Sequence, residues 1–295
     1  MGKKIPLFTL VSVALGLCCS AAPAGSPMGP PRALVGHHRW VVDFEYAHQK
    51  IDLGTCGQCR GYYRVLPEEP LELIDPYYAE FKIKDLKSDM FFGSVGYGVR
   101  ENVDVFVRLG AVDAKDDVGP VAFPNCIGCE QDFAFDGSHG FAWGFGTKAT
   151  FCQKGNLAWG GLLQITWADP DQSDMSGSVP EAAGGGTVSG EMKLDWREIQ
   201  IATGPTWQVR DGLCIYGGPF WLFVRGDLDI KSSWFLDEPE PAGRLICSHD
   251  VTEESEFGGY CGALWDVVRN TSLYAEYQFT GDAWGVGLGC ILRLE

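Results

Sequence analysis

Beyond residue 24 the chain has no run approaching the roughly eighteen unbroken apolar residues of a membrane-spanning helix, so if it crosses a bilayer it does so as strands. Basic residues are scarce, with 23 Lys and Arg against 39 Asp and Glu and a net charge of −16 at pH 7. That balance sets nucleic acid and other anionic polymers aside as partners. The Gly-x-Ser-x-Gly nucleophile elbow is missing, and its nearest fragment, Asp136-Gly-Ser138-His-Gly140, lacks the spacing. Neither Cys-x-x-Cys pair is followed by His, since Arg60 and Glu130 stand there, which excludes covalent c-type haem.

What is present begins with a leader. Lys3-Lys4 precede an apolar run from Ile5 to Cys19, and Ala22-Pro-Ala24 supplies small residues at cleavage spacing, so residues 1–24 read as a secretory signal peptide. Leu15-Gly-Leu17 before Cys18 is a poor lipoprotein box. Removing Lys3 and Lys4 leaves 21 bases against 39 acids, a net of −18. Residues 25–38, rich in proline, are expected to form an exposed lead-in.

From residue 39 onward the pattern is alternation with a period of two. Trp284, Val286, Leu288, Cys290, Leu292 and Leu294 share one face of the last segment, against Gly, Ile and Arg on the other. Similar segments run Trp40 to Lys50, Met90 to Val99, Val103 to Leu109, Phe141 to Cys152, Leu157 to Trp167, Glu191 to Trp207, Leu213 to Leu228, Glu256 to Val267 and Ser272 to Phe279. Tight turns at Arg100-Glu-Asn102, Gln153-Lys-Gly-Asn156, Arg210-Asp-Gly212 and Arg269-Asn-Thr271 carry the Gly, Asn and Asp that hairpins demand. Long polar stretches alternate with them: Ile51 to Leu86, Asp113 to Ser138, Asp169 to Gly190 and Ile230 to Glu254. The fold class is therefore all-β, an antiparallel transmembrane β-barrel of about ten strands with short periplasmic turns and long extracellular loops. Eight strands would need two weak segments to fail. Twelve would need Tyr77 to Lys84, which also alternates, and a partner to join the wall. An even count puts both chain ends on the short-turn side.

These features, and above all Phe91 to Leu109 with its Gly-rich strand, Arg-Glu-Asn turn and Val-Asp-Val-Phe-Val-Arg-Leu strand, resemble the small outer-membrane β-barrel family of bacteria. The resemblance covers residues 39 to 295. It implies a Gram-negative-type outer membrane, outer-membrane lipids and the barrel-insertion machinery as partners, and says little about activity. One departure is the end, Leu294-Glu295, where the family usually places an aromatic residue that the insertion machinery recognises.

Charges on the inward parity form the first candidate site: Asp104, Arg108, Lys193, Asp195, Arg197, Arg225, Asp227, Glu276 and Arg293. A narrow lumen solvates isolated charges poorly, so acids and bases are expected to pair across it and plug it. Parity slips between Leu194 and Trp196 (even) and Ile199 and Ile201 (odd), which a bulge near Arg197-Glu198 would explain.

Nine cysteines remain outside the leader. Cys56-Gly-Gln-Cys59 and Cys126-Ile-Gly-Cys129 are read as loop pairs: disulfides of an oxidising compartment, four ligands of one metal, or free or catalytic thiols. Cys152 and Cys214 pair only if their hairpins are neighbours, and Cys261 and Cys290 share the lipid-facing parity. His48 with Asp52, His139 with Asp136, and His249 with Asp250 are the residues from which a rim hydrolase would have to be built. Clustered loop acids, Asp113, Asp116, Asp117, Asp169, Asp171, Asp174, Asp237, Glu238 and Glu240, read as a solvated surface able to bridge divalent cations to anionic lipid. The sequence thus points to a non-enzymatic, cofactor-free surface barrel with a structural or porin-like role. Its alternatives are a cation-preferring small-solute pore and a rim enzyme or adhesin. A secreted soluble barrel holding an apolar ligand would instead bury the apolar faces and would need no such inequality between its two ends.

Overall fold

The computed structural model describes residues 25–63, 70–73, 75–122, 130–178, 186–235 and 243–294. Their strands are β1 (Trp40–Tyr63), β2 (Glu72–Leu73), β3 (Tyr77–Arg100), β4 (Val103–Ala122), β5 (Glu130–Lys154), β6 (Leu157–Asp169), β7 (Ser173–Ser178), β8 (Thr187–Arg210), β9 (Leu213–Phe235), β10 (Gly243–Glu253), β11 (Phe257–Val268), β12 (Thr271–Phe279) and β13 (Ala283–Leu294). No described helix is long and apolar enough to cross a membrane. Every ladder is antiparallel, and β13 bonds back to β1 while β9 bonds both β8 and β11. Ten strands therefore close a ring in the order β1, β3, β4, β5, β6, β8, β9, β11, β12, β13. Two-residue turns at 101–102, 155–156, 211–212 and 269–270 lie at one end, beside Trp40 and Leu294.

Strand length divides the ring into two storeys. β6, β11, β12 and β13 are 9 to 13 residues long, whereas β1, β3, β4, β5, β8 and β9 run 20 to 25. A tilted strand needs about 9–11 residues to cross the hydrocarbon, so the long strands cross it and continue beyond. There β10 takes over, pairing Arg225–Trp234 of β9 on one side and Leu53–Tyr63 of β1 on the other, above the short β12–β13 hairpin. β7 does the same above β6, pairing the start of β8 and lying beside β5, where the Asp136 N–H donates to Ser173 Oγ at 3.0 Å. The upper wall thus has eight columns where the lower has ten. The four stretches expected to be long loops are consequently strand over most of their described residues, because the columns that rise above the membrane continue to pair with their neighbours, apart from β5 and β7, which lie side by side without a ladder.

The two storeys have opposite polarity. On β8 the even residues face inward throughout: Met192, Leu194 and Trp196 above, then Glu198, Gln200 and Thr206 below, all buried. Outward, Glu191, Lys193 and Arg197 are exposed above, while Ile201 and Trp207 meet the surroundings below. β1 repeats the change, from inward Glu45 and Gln49 to inward Ile51, Leu53 and Cys59. The bulge expected near Arg197-Glu198 is absent: β8 keeps register with β6 and β9 there, and the medium outside changes rather than the facing of the strand. A register shift does occur on β3, between Ile83 and Lys87, around Asp85 at φ 63°.

Below, the outer surface carries Val95, Val105, Val107, Leu109, Phe145, Leu163, Ile215 and Leu288, between one aromatic band of Trp40, Trp159, Trp207 and Trp265 and another of Phe91, Trp143, Trp221 and Phe257. Such a belt with two girdles is the lipid face of a transmembrane barrel. Above, the interior is a dry core of Leu53, Ile83, Leu86, Met192, Leu194, Leu228, Ile230, Leu245 and Val251, each 5% exposed or less. Eight columns enclose just the width that side chains can fill.

Candidate functional site in the barrel lumen

Ten columns enclose more room than their own side chains occupy, and the chain fills it with its own N-terminal segment. Residues 25–31 are all buried, and the segment runs from the interior at Gly25 to the short-turn mouth, where the His38 N–H donates to the Gly98 carbonyl at 2.8 Å. The expected exposed lead-in is therefore corrected to an internal plug. Its sequence suits that position, because proline and glycine give an extended thread with few backbone donors to satisfy, and it lies where the wall is glycine. A Cβ on Gly287 would stand 2.7 Å from Pro27 Cβ.

The inward acids hold the main chain of this plug. Asp104 Oδ2 accepts from the N–H groups of Leu34 and Val35 at 2.5 and 3.1 Å, and Glu276 Oε1 accepts from the Met28 N–H at 3.0 Å. Glu198 Oε2 accepts from Ser26, from N–H at 3.3 Å and Oγ at 3.1 Å. Arg108, fully buried, donates to Pro27 O and Glu45 Oε2 at 3.4 Å each, to Ser26 Oγ at 2.7 Å and to Thr166 Oγ1, with its guanidinium 4.4 Å from the Phe92 ring centroid. Gln164 and Gln278 donate to the Ser26 carbonyl at 3.3 and 3.0 Å.

The structure separates the inward charges proposed from the sequence. Asp104, Arg108 and Glu276 lie in the lumen, but the acids bond the plug rather than Arg108, whose ion pair is with Glu45. Arg293 has inward parity but sits at the short-turn mouth on Asp266, at 3.4 Å. Lys193, Asp195, Arg197, Arg225 and Asp227 are corrected: they face outward above the membrane, where Lys193 reaches Asp169 at 3.3 Å and Arg225 reaches Glu253 at 3.0 Å. Their parity was opposite to that of Asp104 and Glu276, which the change of medium disguised. Glu45, Gln164, Glu198, Gln200 and Gln278 were missed. Their signal was a polar residue on the parity opposite to the apolar belt.

The cysteines are also rearranged. Cys59 bonds Cys247 across the β1–β10 ladder, 188 residues away, and Cys56 is free and exposed beside Glu80. A spacing of three along a strand puts two residues on opposite faces, so Cys56 and Cys59 can neither pair nor share a metal. Cys126 and Cys129 lie outside the described residues. Cys152 and Cys214 are not paired, one being exposed and the other buried near Arg32. Beside the disulfide, His249 Nε2 stands 3.5 Å from Cys59 Sγ, and burial in the upper core pushes its imidazole below the usual 6.5. His48 bonds Asp89 at 2.9 Å on the outer surface, and Asp250 faces outward, away from His249. The histidines and acids considered for a rim hydrolase are thus distributed over both faces of the wall. Asp113, Asp169 and Asp136 have lysine partners within 4 Å. Asp237, Glu238 and Glu240 lie outside the described residues.

No family model matches this chain, and no curated protein matches it. Among solved structures it is similar to the outer membrane protease OmpT of Escherichia coli, at 10% identity over 88% of this chain and 96% of that one, with a TM-score of 0.41. It is likewise similar to the outer membrane protein OprG of Pseudomonas aeruginosa, at 10% identity over 88% and 98%, with a TM-score of 0.41. A third is the toluene transporter TbuX of Ralstonia pickettii, at 11% identity over 93% and 97%, with a TM-score of 0.33. These likenesses are too slight to bear on activity, and the architecture rests on the closed ten-stranded ring, its apolar outer belt and its polar interior. By that geometry the chain is a transmembrane β-barrel of the outer-membrane type.

Proposed function

We propose that this protein sits in the outer membrane of a Gram-negative-type envelope as a closed, non-enzymatic barrel, presenting its eight-column upper storey as a rigid surface structure. The observation that carries this reading is the double closure of the lumen: the thread of residues 25–35 below, and above it the apolar core around Leu194 and Leu228. On this reading neither layer, among the described residues, leaves ions a hydrated path. The disulfide between Cys59 and Cys247 ties β10 to β1 and so braces the wall where the ring narrows. Its partners on this reading are outer-membrane lipids along the belt, the insertion machinery during assembly, and divalent cations bridging the exposed acids to anionic lipid headgroups.

Planar-bilayer recording of the refolded protein tests the reading. Neither the full protein nor one lacking residues 25–38 should conduct steadily, because the upper core closes the path without help from the plug. Steady conductance of the full protein would overturn it. Conductance that appears only on deletion would favour the second reading, a gated pore. Acid predominance in the lumen supports a cation preference for such a pore, with Glu45, Asp104, Glu198 and Glu276 buried against Arg108.

A further inference from the structure

We infer that the chain is cut immediately before Gly25 and that the freed α-ammonium is itself a lumen ligand, bound by Glu198 and the glutamines around it. The inference rests on the plug described above, and three observations carry it. The first is the depth of Gly25, which stands at the level where the lumen changes from polar to apolar. Gly25 lies against Gln200 and Gln278, and above that level the inward side chains turn apolar at Trp196, Leu194, Ile51 and Leu53, all 5% exposed or less.

The second is charge. Buried in the lumen are four acids, Glu45, Asp104, Glu198 and Glu276, against one fully buried base, Arg108. Adding the half-buried groups, Lys148 within electrostatic reach of Asp104 and Glu276, Arg32 of the plug on Cys214, and Asp43 beside Glu45, leaves five acids against three bases. Arg108 pairs with Glu45, and Glu198 has no cationic partner among the described residues. A buried carboxylate without a counter-charge is costly, and a cation delivered at the tip of the plug would offset it.

The third is the cradle. An ammonium offers three donors. Glu198 Oε2 is already bonded to the next residue, Ser26, and Glu198 Oε1 accepts from the Gln49 carboxamide at 2.8 Å and from Trp196 Nε1 at 3.0 Å, so Glu198 supplies the counter-charge while Gln49 Oε1, fully buried and without a partner, is the acceptor left open. Gln278 Oε1 lies 2.8 Å from where a Cβ on Gly25 would stand, and Gly25 has φ +98°. A Cβ at this position would also clash with Gln200 Nε2, so the tip of the plug admits no side chain. Cleavage adds water across the Ala24–Gly25 peptide bond, hydroxyl to the Ala24 carbonyl and hydrogen to the Gly25 nitrogen, and that amine then takes up a proton. The agent is an envelope peptidase acting before the plug is seated.

The test compares two refolded proteins, one beginning at Gly25 and one retaining Ala22-Pro-Ala24. Each is treated near neutral pH with an amine-reactive succinimidyl ester, and the labelled residue is found by mass spectrometry. The Gly25 amine should be protected in the folded protein and labelled on unfolding, and the extended protein should lose protection of residues 22–35 against protease. An α-amine labelled equally fast folded and unfolded, or an extended protein that seats its plug as well, would overturn the inference. Should the extended protein not fold, Glu198→Gln in the protein beginning at Gly25 decides: loss of amine protection supports the ammonium site, and unchanged protection refutes it. Protease attack on residues 25–35 of the unaltered protein would remove the plug itself. Protected residues 25–35 with a freely labelled amine would remove only this inference.

Discussion

Replacing Arg108 by Met tests the lumen network most directly. The substitution keeps an unbranched side chain of similar reach but removes the charge that Glu45 faces at 3.4 Å, the donor to Ser26 Oγ at 2.7 Å, and the cation over Phe92 at 4.4 Å. Removing one partner of a buried pair costs about 3–5 kcal/mol, most of it from the carboxylate left behind. The hydrogen bonds and ring contact belong to the same group and are not added on top. Urea unfolding in detergent micelles, followed by gel mobility with and without heating, should show a loss in that range. Protease should also reach residues 25–35 at lower urea than in the unaltered protein. Adding Glu45→Gln should recover part of the loss, since the stranded charge is then gone. A loss below about 1 kcal/mol, or a double variant whose losses simply add, would refute the view that this pair anchors the plug.

Polarity inversion makes opposite predictions for one substitution at two heights. Val105→Arg in the belt should impair insertion by about 2–4 kcal/mol near the midplane, while Ile246→Arg, also outward but above the membrane, should fold like the unaltered protein; equal damage would contradict the two-storey arrangement. Mass spectrometry of unreduced protein should recover a peptide joining Cys59 to Cys247 with Cys56 alkylatable, and a bond between Cys56 and Cys59 would disprove the β1–β10 register. His249, held below its usual 6.5 by burial and only partly offset by Asp250, takes up its proton more readily unfolded than folded. Its contribution to stability is therefore complete above about pH 6.5 and is lost as pH falls through the folded value. Protection factors in β10, taken against the intrinsic exchange rate at each pH, should fall on acidification, and His249→Leu should flatten that dependence; identical profiles would rule the residue out.

The sequence by itself determined the alternation of faces, the four tight turns and the ten columns at the level of the membrane, because a period of two and turn chemistry are local properties. Arg108, Asp104 and Glu276 were legible for the same reason: each is a charge on the parity opposite to an apolar belt. Parity says which residues share a face but not what that face meets. Leu194 and Ile201 are both apolar and lie on opposite faces of one unbroken strand, and only the height of each in the wall makes both placements favourable. Tertiary structure alone also decided that β10 sits between β9 and β1, which joins Cys59 to Cys247 across 188 residues. The plug left no periodic trace at all. An extended Gly and Pro thread has no repeating face, and its place is set by room that ten columns leave and eight do not.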